Sequence, residues 1–119
     1  MNRSLQKGDI VLVSLPKHTP SMHEQQGIRP AVIVGIPPGE TRYLLVFVAP
    51  LTTQIGKWVE MNPTIYPVLP SGIGNLTQTS VVLLDQIRAV DVQRIVRYLG
   101  SLSEEDYSPI AVGIGQIFM

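Results

Sequence analysis

Two groups of polar residues lie where apolar runs of this sequence begin or end. Arg29 stands directly before the run that starts at Pro30, and Thr52, Thr53 and Gln54 follow a second run. A guanidinium presents a planar fork of N–H donors that fits two phosphate oxygens, and a threonine hydroxyl can add a further donor. Because the pKa of arginine exceeds about 12, Arg29 is suited to stabilising charge and not to shuttling protons. These residue types indicate a site for an anionic group, although a solvated arginine and a turn-capping threonine would give the same pattern.

A histidine lies in the polar segment 16–28, which separates two apolar runs. His23 is followed there by Glu24 and Gln25. A loop of this length is uncommon in a compact domain unless it is functional. Histidine is the side chain whose ordinary pKa lies closest to neutrality, so His23 is the candidate for proton transfer. A solvated loop histidine is the alternative interpretation.

A polar pair, Asp85-Gln86, divides two apolar runs. Polar groups enclosed by apolar neighbours must be hydrogen-bonded or take part in function. We therefore treat Asp85 and Gln86 as candidate ligand contacts, with the satisfaction of buried backbone amides as the alternative. His18 and His23 have no third metal ligand nearby, and the sequence contains no nucleotide-binding glycine motif. We expect no metal and no cofactor.

The composition is that of a single globular domain, residues 1–119. Apolar residues make up 45% of the chain and charged residues 15%, which excludes a disordered chain. There is no cysteine, so disulfides and thiolate metal sites are excluded. The apolar stretch 43–51 is too short to span a membrane, and we expect a soluble, cytoplasmic protein. The net charge is zero, but all nine basic residues lie within residues 1–100, which permits a local basic groove.

Short apolar runs bounded by glycine and proline predict a mainly β fold. Strands are predicted at 9–15, 29–36, 43–49, 58–61, 65–69, 80–84 and 87–90. The run 43–49 is almost entirely apolar, which is typical of a central strand buried on both faces. Pro50 is predicted to end this strand, because proline cannot donate to a β ladder.

The last third of the chain carries helix signals. Asp91 is interpreted as the cap of a short helix over 92–100, closed by Gly100. Ser103 with Asp106 resembles an imperfect capping box for a final helix. The predicted fold class is therefore mainly β with helices, in the form of a small, strongly bent sheet or barrel with a helix packed across it.

Four segments occur in a fixed order: KGDIVLVSLP, HEQQGIRPAVIV, APLTTQ and SVVLLDQIRAVD. Together they resemble the MazF/PemK/Kid toxins of bacterial type II toxin–antitoxin modules, over nearly the whole chain. The resemblance implies a MazF/CcdB-like, SH3-like barrel with a C-terminal helix, and a homodimer. It also implies a metal-independent, sequence-specific endoribonuclease that cuts single-stranded RNA, including mRNA, through 2′-OH attack. A cognate antitoxin, which we expect to be acidic and partly disordered, would inhibit it.

The resemblance assigns roles residue by residue. Arg29 and Thr52 match catalytic positions, and His23 matches the histidine of the Kid-like branch. The predicted RNA-binding residues are Glu24, Gln25, Thr53, Gln54, Asp85, Gln86 and Arg88. Kid-like toxins have an arginine two residues before the aspartate, where this chain has Leu83. The segment 55–80 matches no family pattern, so the RNA sequence preference does not carry over.

Two further hypotheses share the same barrel. One is a non-catalytic, gyrase-binding toxin like CcdB, whose chains end in Trp-Gly-Ile, whereas this chain ends in Gln-Ile-Phe-Met. The other is a degenerate member that binds RNA or antitoxin without cutting.

The apolar run 110–118 adds more apolar surface than one small core covers, which favours an interface between two copies.

Overall fold

The computed structural model describes residues 4–16 and 27–118. Within these ranges the chain forms seven strands, two α-helices and three 3₁₀ turns. The strands are β1 (Asp9–Leu15), β2 (Gly27–Gly35), β3 (Leu45–Thr52), β4 (Val68–Leu69), β5 (Ser80–Val82), β6 (Arg88–Asp91) and β7 (Ile95–Ser101). The helices are α1 (Lys57–Met61) and α2 (Glu104–Ile117), and the 3₁₀ turns are Ile73–Asn75, Leu84–Gln86 and Val92–Arg94. In the described part of the chain, no helix has the length and apolarity needed to cross a membrane.

The strands form one antiparallel sheet in the order β4-β5-β3-β2-β1-β7, and β6 also pairs with β3. On one side β3 pairs with β2, and on its other side it pairs first with β6, through Leu45–Val48, and then with β5, through Leu51 and Thr52. Since one strand changes neighbour along its length, the sheet curls into a half-barrel. This mainly β architecture with a C-terminal helix confirms the predicted fold class.

Pro50 lies inside β3, so the prediction that it ends the strand is wrong. It stands between the part of β3 that pairs with β6 and the part that pairs with β5. Its carbonyl accepts a hydrogen bond from the Leu83 N–H at 2.9 Å, on the side where the missing proline N–H would point. The strand continues because no ladder hydrogen bond is needed from Pro50 in this gap.

The curled sheet buries apolar side chains on both faces. One cluster, against which α2 packs, contains Ile10, Val32, Ala49, Leu51, Leu69, Leu76, Val82, Leu84, Tyr107 and Ile110. The opposite cluster contains Val11, Val13, Leu15, Ala31, Ile33, Val46, Val48 and Val90. The central strands β1, β2 and β3 contribute to both, because successive side chains point to opposite faces. The second half of β3 is buried on both faces, which confirms the prediction of a central strand there. In the first half of β3, Phe47 is exposed.

The sheet edges meet where the 3₁₀ turn Ile73–Asn75 lies against β7. The Asn75 side-chain amide donates to the Leu99 carbonyl at 2.9 Å. A Cβ at Gly100 would come within 2.5 Å of the Gly74 carbonyl oxygen, so only glycine permits this approach. The turn therefore brings the two ends of the sheet close together, although no ladder joins β4 to β7.

The final helix begins as the sequence predicts. Ser103 accepts a hydrogen bond from the Asp106 N–H at 3.1 Å, and the first turn of α2 is acidic, which suits the helix dipole. On its inner face Gly113 is buried, and a Cβ there would collide with the Leu84 side chain and the Thr64 carbonyl. The helix therefore packs directly on the 3₁₀ turn Leu84–Gln86.

Two predicted strands are wrong, one of them wholly and the other in part. The predicted strand 58–61 is helix α1, because Val59 turns inward to pack with Val81 and Leu83. The predicted strand 65–69 is reduced to β4.

The predicted helix 92–100 is also wrong. Asp91 does cap a turn, accepting from the Gln93 N–H at 2.9 Å, but the turn is a single 3₁₀ turn and the chain continues as β7. Pairing with the edge of β1, where Val11 faces Tyr98, outweighs the local helix signal.

Candidate nucleic-acid interface

The fold brings Arg29 and Thr52 together from strands that are far apart in sequence. In the antiparallel ladder of β2 and β3, Ala31 faces Pro50, and extending this register by two residues sets Arg29 across from Thr52. Both side chains line one cavity of about 150 Å³, which we call the Arg29 pocket. Its lining residues are Arg29, Pro30, Leu51, Thr52, Thr53, Gln54 and Ser80. Two residues nominated separately from the sequence therefore face the same small space.

Thr52 is half-buried at the end of β3, and its hydroxyl oxygen accepts the Gln54 N–H at 3.1 Å. This is the turn-capping bond that the alternative interpretation of Thr52 required. A hydroxyl that accepts still has one proton to donate. Thr52 can therefore hold the turn and present a donor to the Arg29 pocket at the same time.

A larger cavity of about 590 Å³, which we call the Trp58 groove, adjoins the Arg29 pocket. The two share Thr52 and Gln54 as lining residues. The groove is lined by Thr52, Gln54, Ile55, Gly56, Trp58, Tyr66, Leu83, Asp85 and Gln86. The structure thus places the predicted pair Asp85-Gln86 beside the predicted residues that follow β3.

Asp85 is held by a tyrosine that the sequence analysis did not nominate. The Tyr66 hydroxyl donates to Asp85 Oδ2 at 2.6 Å. This hydrogen bond raises the pKa of the Tyr66 phenol above its ordinary value, with burial and the negative charge of Asp85 acting in the same direction. Tyr66 therefore stays protonated at neutral pH and acts as a donor, while Asp85 is the acceptor. Asp85 is exposed, so the premise that apolar neighbours enclose it is wrong, and its hydrogen bond is to a side chain and not to buried backbone amides.

Trp58 was also missed. Its ring and that of Tyr66 meet edge to face, with centroids 4.8 Å apart and planes at 85°. Val59, Val81 and Leu83 form a small buried cluster beneath Tyr66. The available sequence signal was a tryptophan and a tyrosine eight residues apart in a chain with only 6% aromatic residues.

Other nominated residues lie elsewhere. Arg88 is in β6, opposite Val48, and lines neither the Arg29 pocket nor the Trp58 groove. Leu83, where Kid-like toxins have an arginine, is buried. The predictions for His23, Glu24 and Gln25 concern positions outside the described residues and stay predictions. Among the residues that the structure describes, no group of three His, Asp or Glu side chains could hold a metal ion.

The curled antiparallel sheet, its C-terminal helix and the paired cavities at the end of β3 define a small half-barrel protein with a candidate anion site at the end of a central strand. The model of the PemK-like, MazF-like toxins of type II toxin–antitoxin systems matches residues 6–118. Over 101 residues the chain is 36% identical to the endoribonuclease MazF of Staphylococcus saprophyticus, covering 85% of this chain and 80% of that protein. The chain belongs to the PemK/MazF toxin family.

Solved structures agree on the fold. MazF from Deinococcus radiodurans superposes with a TM-score of 0.72 at 21% identity, over 98% of this chain and 97% of that one. A mycobacterial endoribonuclease in complex with its cognate antitoxin superposes with a TM-score of 0.67 at 20% identity, over 98% and 93% of the two chains. The MazF-like barrel that the sequence motifs implied is confirmed.

Proposed function

We propose that this protein, an endoribonuclease of the PemK/MazF family, cleaves single-stranded RNA at a short sequence without a metal ion. In the proposed reaction the 2′-OH of the RNA attacks the adjacent phosphorus, and its proton passes to a base. The bond to the 5′-oxygen breaks, that oxygen takes up a proton, and a 2′,3′-cyclic phosphate remains. The observation that supports this assignment most strongly is the shared pocket of Arg29 and Thr52 beside a groove large enough for part of a nucleic acid.

Arg29 is assigned the role of stabilising the negative charge that develops on the phosphate. In the transition state the non-bridging oxygens gain negative charge, and a guanidinium can donate to two of them at once. A donor that acts in this way lowers the barrier by about 3–4 kcal/mol. Thr52 would supply an additional hydroxyl donor from the opposite strand.

Proton transfer is assigned to His23, as the sequence predicts. A guanidinium is a poor proton shuttle, and Tyr66 is held in its protonated form by Asp85. A histidine is therefore the best match to the required chemistry. If His23 acts in this way, His23→Ala removes a limb near pH 6.5 from the pH–rate profile while RNA binding is retained.

We further propose that a cognate antitoxin covers the Arg29 pocket and the Trp58 groove. The complex of the mycobacterial relative with its own antitoxin supports such a partner. An acidic, disordered peptide would be attracted to the Arg29 guanidinium as RNA is. Homodimerisation is proposed on exposed apolar residues in the second half of α2 and at its C-cap, where Val112 is 58% and Phe118 68% exposed.

The test is incubation of the purified protein with a long RNA in EDTA, followed by sequencing of the 5′-hydroxyl ends. Cleavage at one recurrent short sequence is expected, and Arg29→Ala protein serves as the control for a contaminating nuclease. Cleavage that appears only after Mg²⁺ is restored would contradict the metal-free mechanism. RNA that is bound but never cut would identify the degenerate alternative.

A further inference from the structure

The Trp58 groove differs in chemistry from the pocket that holds the phosphate. None of its lining residues is a lysine or arginine, so it is poorly suited to a phosphate. It offers two aromatic rings, an apolar residue at Leu83, and the carboxylate of Asp85. A flat group that carries N–H donors matches this set of contacts.

We propose that the Trp58 groove binds one RNA base next to the scissile phosphate, stacked on Trp58 and hydrogen-bonded to Asp85, with guanine preferred. This inference rests on the proposed function, because the adjoining Arg29 pocket is taken as the phosphate site. The shared lining residues Thr52 and Gln54 connect the two cavities, as a phosphate and its neighbouring base are connected. One nucleotide would then place its phosphate in the Arg29 pocket and its base in the Trp58 groove.

Stacking is carried by the exposed part of the indole. Trp58 is 38% exposed, although it is the largest side chain in the protein. The Tyr66 ring contacts the indole at a right angle and limits its movement without covering it completely. A ring held in this way is pre-organised for a base, since less side-chain freedom is lost on binding.

Asp85 would select among the bases by accepting hydrogen bonds from their N–H groups. An ionised carboxylate only accepts hydrogen bonds and has about four lone-pair sites, so one bond from Tyr66 leaves it able to accept two more. Guanine presents two adjacent donors, N1–H and the N2 amino group, on one edge. Adenine and cytosine present a single amino group beside a ring-nitrogen acceptor, and the N3–H of uracil lies between two carbonyl oxygens. The carboxylate therefore favours guanine and disfavours uracil.

Trp58 is the only tryptophan of the chain, so its fluorescence reports on this groove alone. The probes are four 2′-deoxy trinucleotides that differ only in the central base, which the protein cannot cleave because they lack the attacking hydroxyl. We expect quenching with all four, and a dissociation constant for central guanine about tenfold lower than for central uracil. An unchanged emission would overturn the stacking assignment, and equal dissociation constants would overturn the role of Asp85.

Two variants separate the contributions. Tyr66→Phe keeps the ring but frees Asp85, so quenching remains while the guanine-to-uracil ratio falls to about threefold or less. Asp85→Asn replaces an acceptor by an amide that both donates and accepts, so the ratio approaches one. Tyr43→Phe, at an exposed tyrosine outside both cavities, is the matched control and leaves the ratio unchanged. A ratio that survives Asp85→Asn would overturn the proposal.

The fluorescence titration does not depend on cleavage. If the protein fails to cut RNA but Trp58 still discriminates among the bases, the proposed function fails and the base site stands. If RNA is cut at a recurrent sequence while the four trinucleotides bind equally, the base site fails and the proposed function stands.

Discussion

The two halves of the candidate site are built in different ways. Arg29 and Thr52 belong to neighbouring central strands, whose positions are fixed by a main-chain ladder and by a core on both faces. Trp58, Tyr66 and Asp85 belong to a short helix, a loop and a 3₁₀ turn. These segments are held by separate main-chain hydrogen bonds, such as the Leu84 N–H to the Ile65 carbonyl, and by side-chain packing, not by a continuous ladder. A ladder positions atoms more precisely than loops do, and loops tolerate more sequence change. The comparison indicates that the first half is suited to chemistry and the second half to selecting the substrate.

The substitution with the largest expected effect is at Arg29. Arg29→Ala removes the donor that strengthens as charge develops, so single-turnover cleavage of RNA falls about a hundredfold or more, equivalent to roughly 3 kcal/mol. Arg29→Lys recovers only part of the rate, because a point charge cannot make a two-pronged contact.

Thermal melting supplies the control for this loss. The Arg29 side chain is exposed and is no part of the core, so both variants are expected to remain folded at the temperature of the cleavage assay. A folded Arg29→Ala protein that cuts RNA at the wild-type rate would remove the chemical role assigned to this half of the site.

The second half can be disturbed from a distance through α2. Gly113→Ala forces a methyl group against Leu84 and the Thr64 carbonyl, and such overpacking lowers the free energy of unfolding by about 1–3 kcal/mol. Gly115→Ala, in the same helix, meets no atom within 4 Å and raises that free energy by up to about 1 kcal/mol through helix propensity. Urea unfolding of the two variants measures both changes.

The Gly113→Ala and Gly115→Ala variants also test the comparison between the two halves of the candidate site. Because Leu84 begins the turn that carries Asp85, Gly113→Ala should impair discrimination among bases more than the rate at Arg29. If it lowers the cleavage rate and leaves the base preference intact, the two halves are not separable in this way.

The sequence was sufficient where local pattern decides the structure. β1 was predicted with its observed bounds, and the Ser103 cap was predicted from its own motif. Alternation and capping act over a few residues, so they can be recognised without the fold. The segment 92–100 was misassigned because pairing with β1, more than 80 residues away in the chain, decides its conformation.

The candidate site likewise divides into residues that local sequence pattern indicates and residues that only long-range contacts bring together. Arg29 and Thr52 could be nominated because each directly borders an apolar run. The contact between Tyr66 and Asp85 joins residues 19 positions apart across two short strands and the loop between them, and no local pattern predicts it. The sequence therefore indicates the polar residues of the Trp58 groove, whereas its two aromatic residues are recognised only in the structure.

Thr52→Val is expected to have a smaller effect than Arg29→Ala. The variant keeps the side-chain shape but loses the hydroxyl donor and the acceptor of the Gln54 N–H, so cleavage falls about tenfold or less. Thr77→Val, at an exposed threonine outside both cavities, is the matched control. A loss equal to that of Arg29→Ala would show that the hydroxyl does more than assist, as in direct proton transfer.

The smallest expected effect is on stability, through the bond between Tyr66 and Asp85. The pKa of the Tyr66 phenol is raised above 10.0 in the folded protein, so the bond stabilises the fold fully below about pH 10 and is lost as the pH rises through the raised value. Tyr66→Phe should lower the melting temperature by about 2 °C or less, equally from about pH 6 to pH 9. As the pH rises through the raised value the difference should shrink and then reverse, because tyrosinate is repelled by the Asp85 carboxylate. Melting curves of the wild-type and Tyr66→Phe proteins across this range measure the difference in melting temperature. The other tyrosines titrate in both proteins, so their contribution cancels. A difference that grows with rising pH would mean that Tyr66 does not donate to Asp85 in solution, and the substrate-selecting half would then lack the contact that orients its carboxylate.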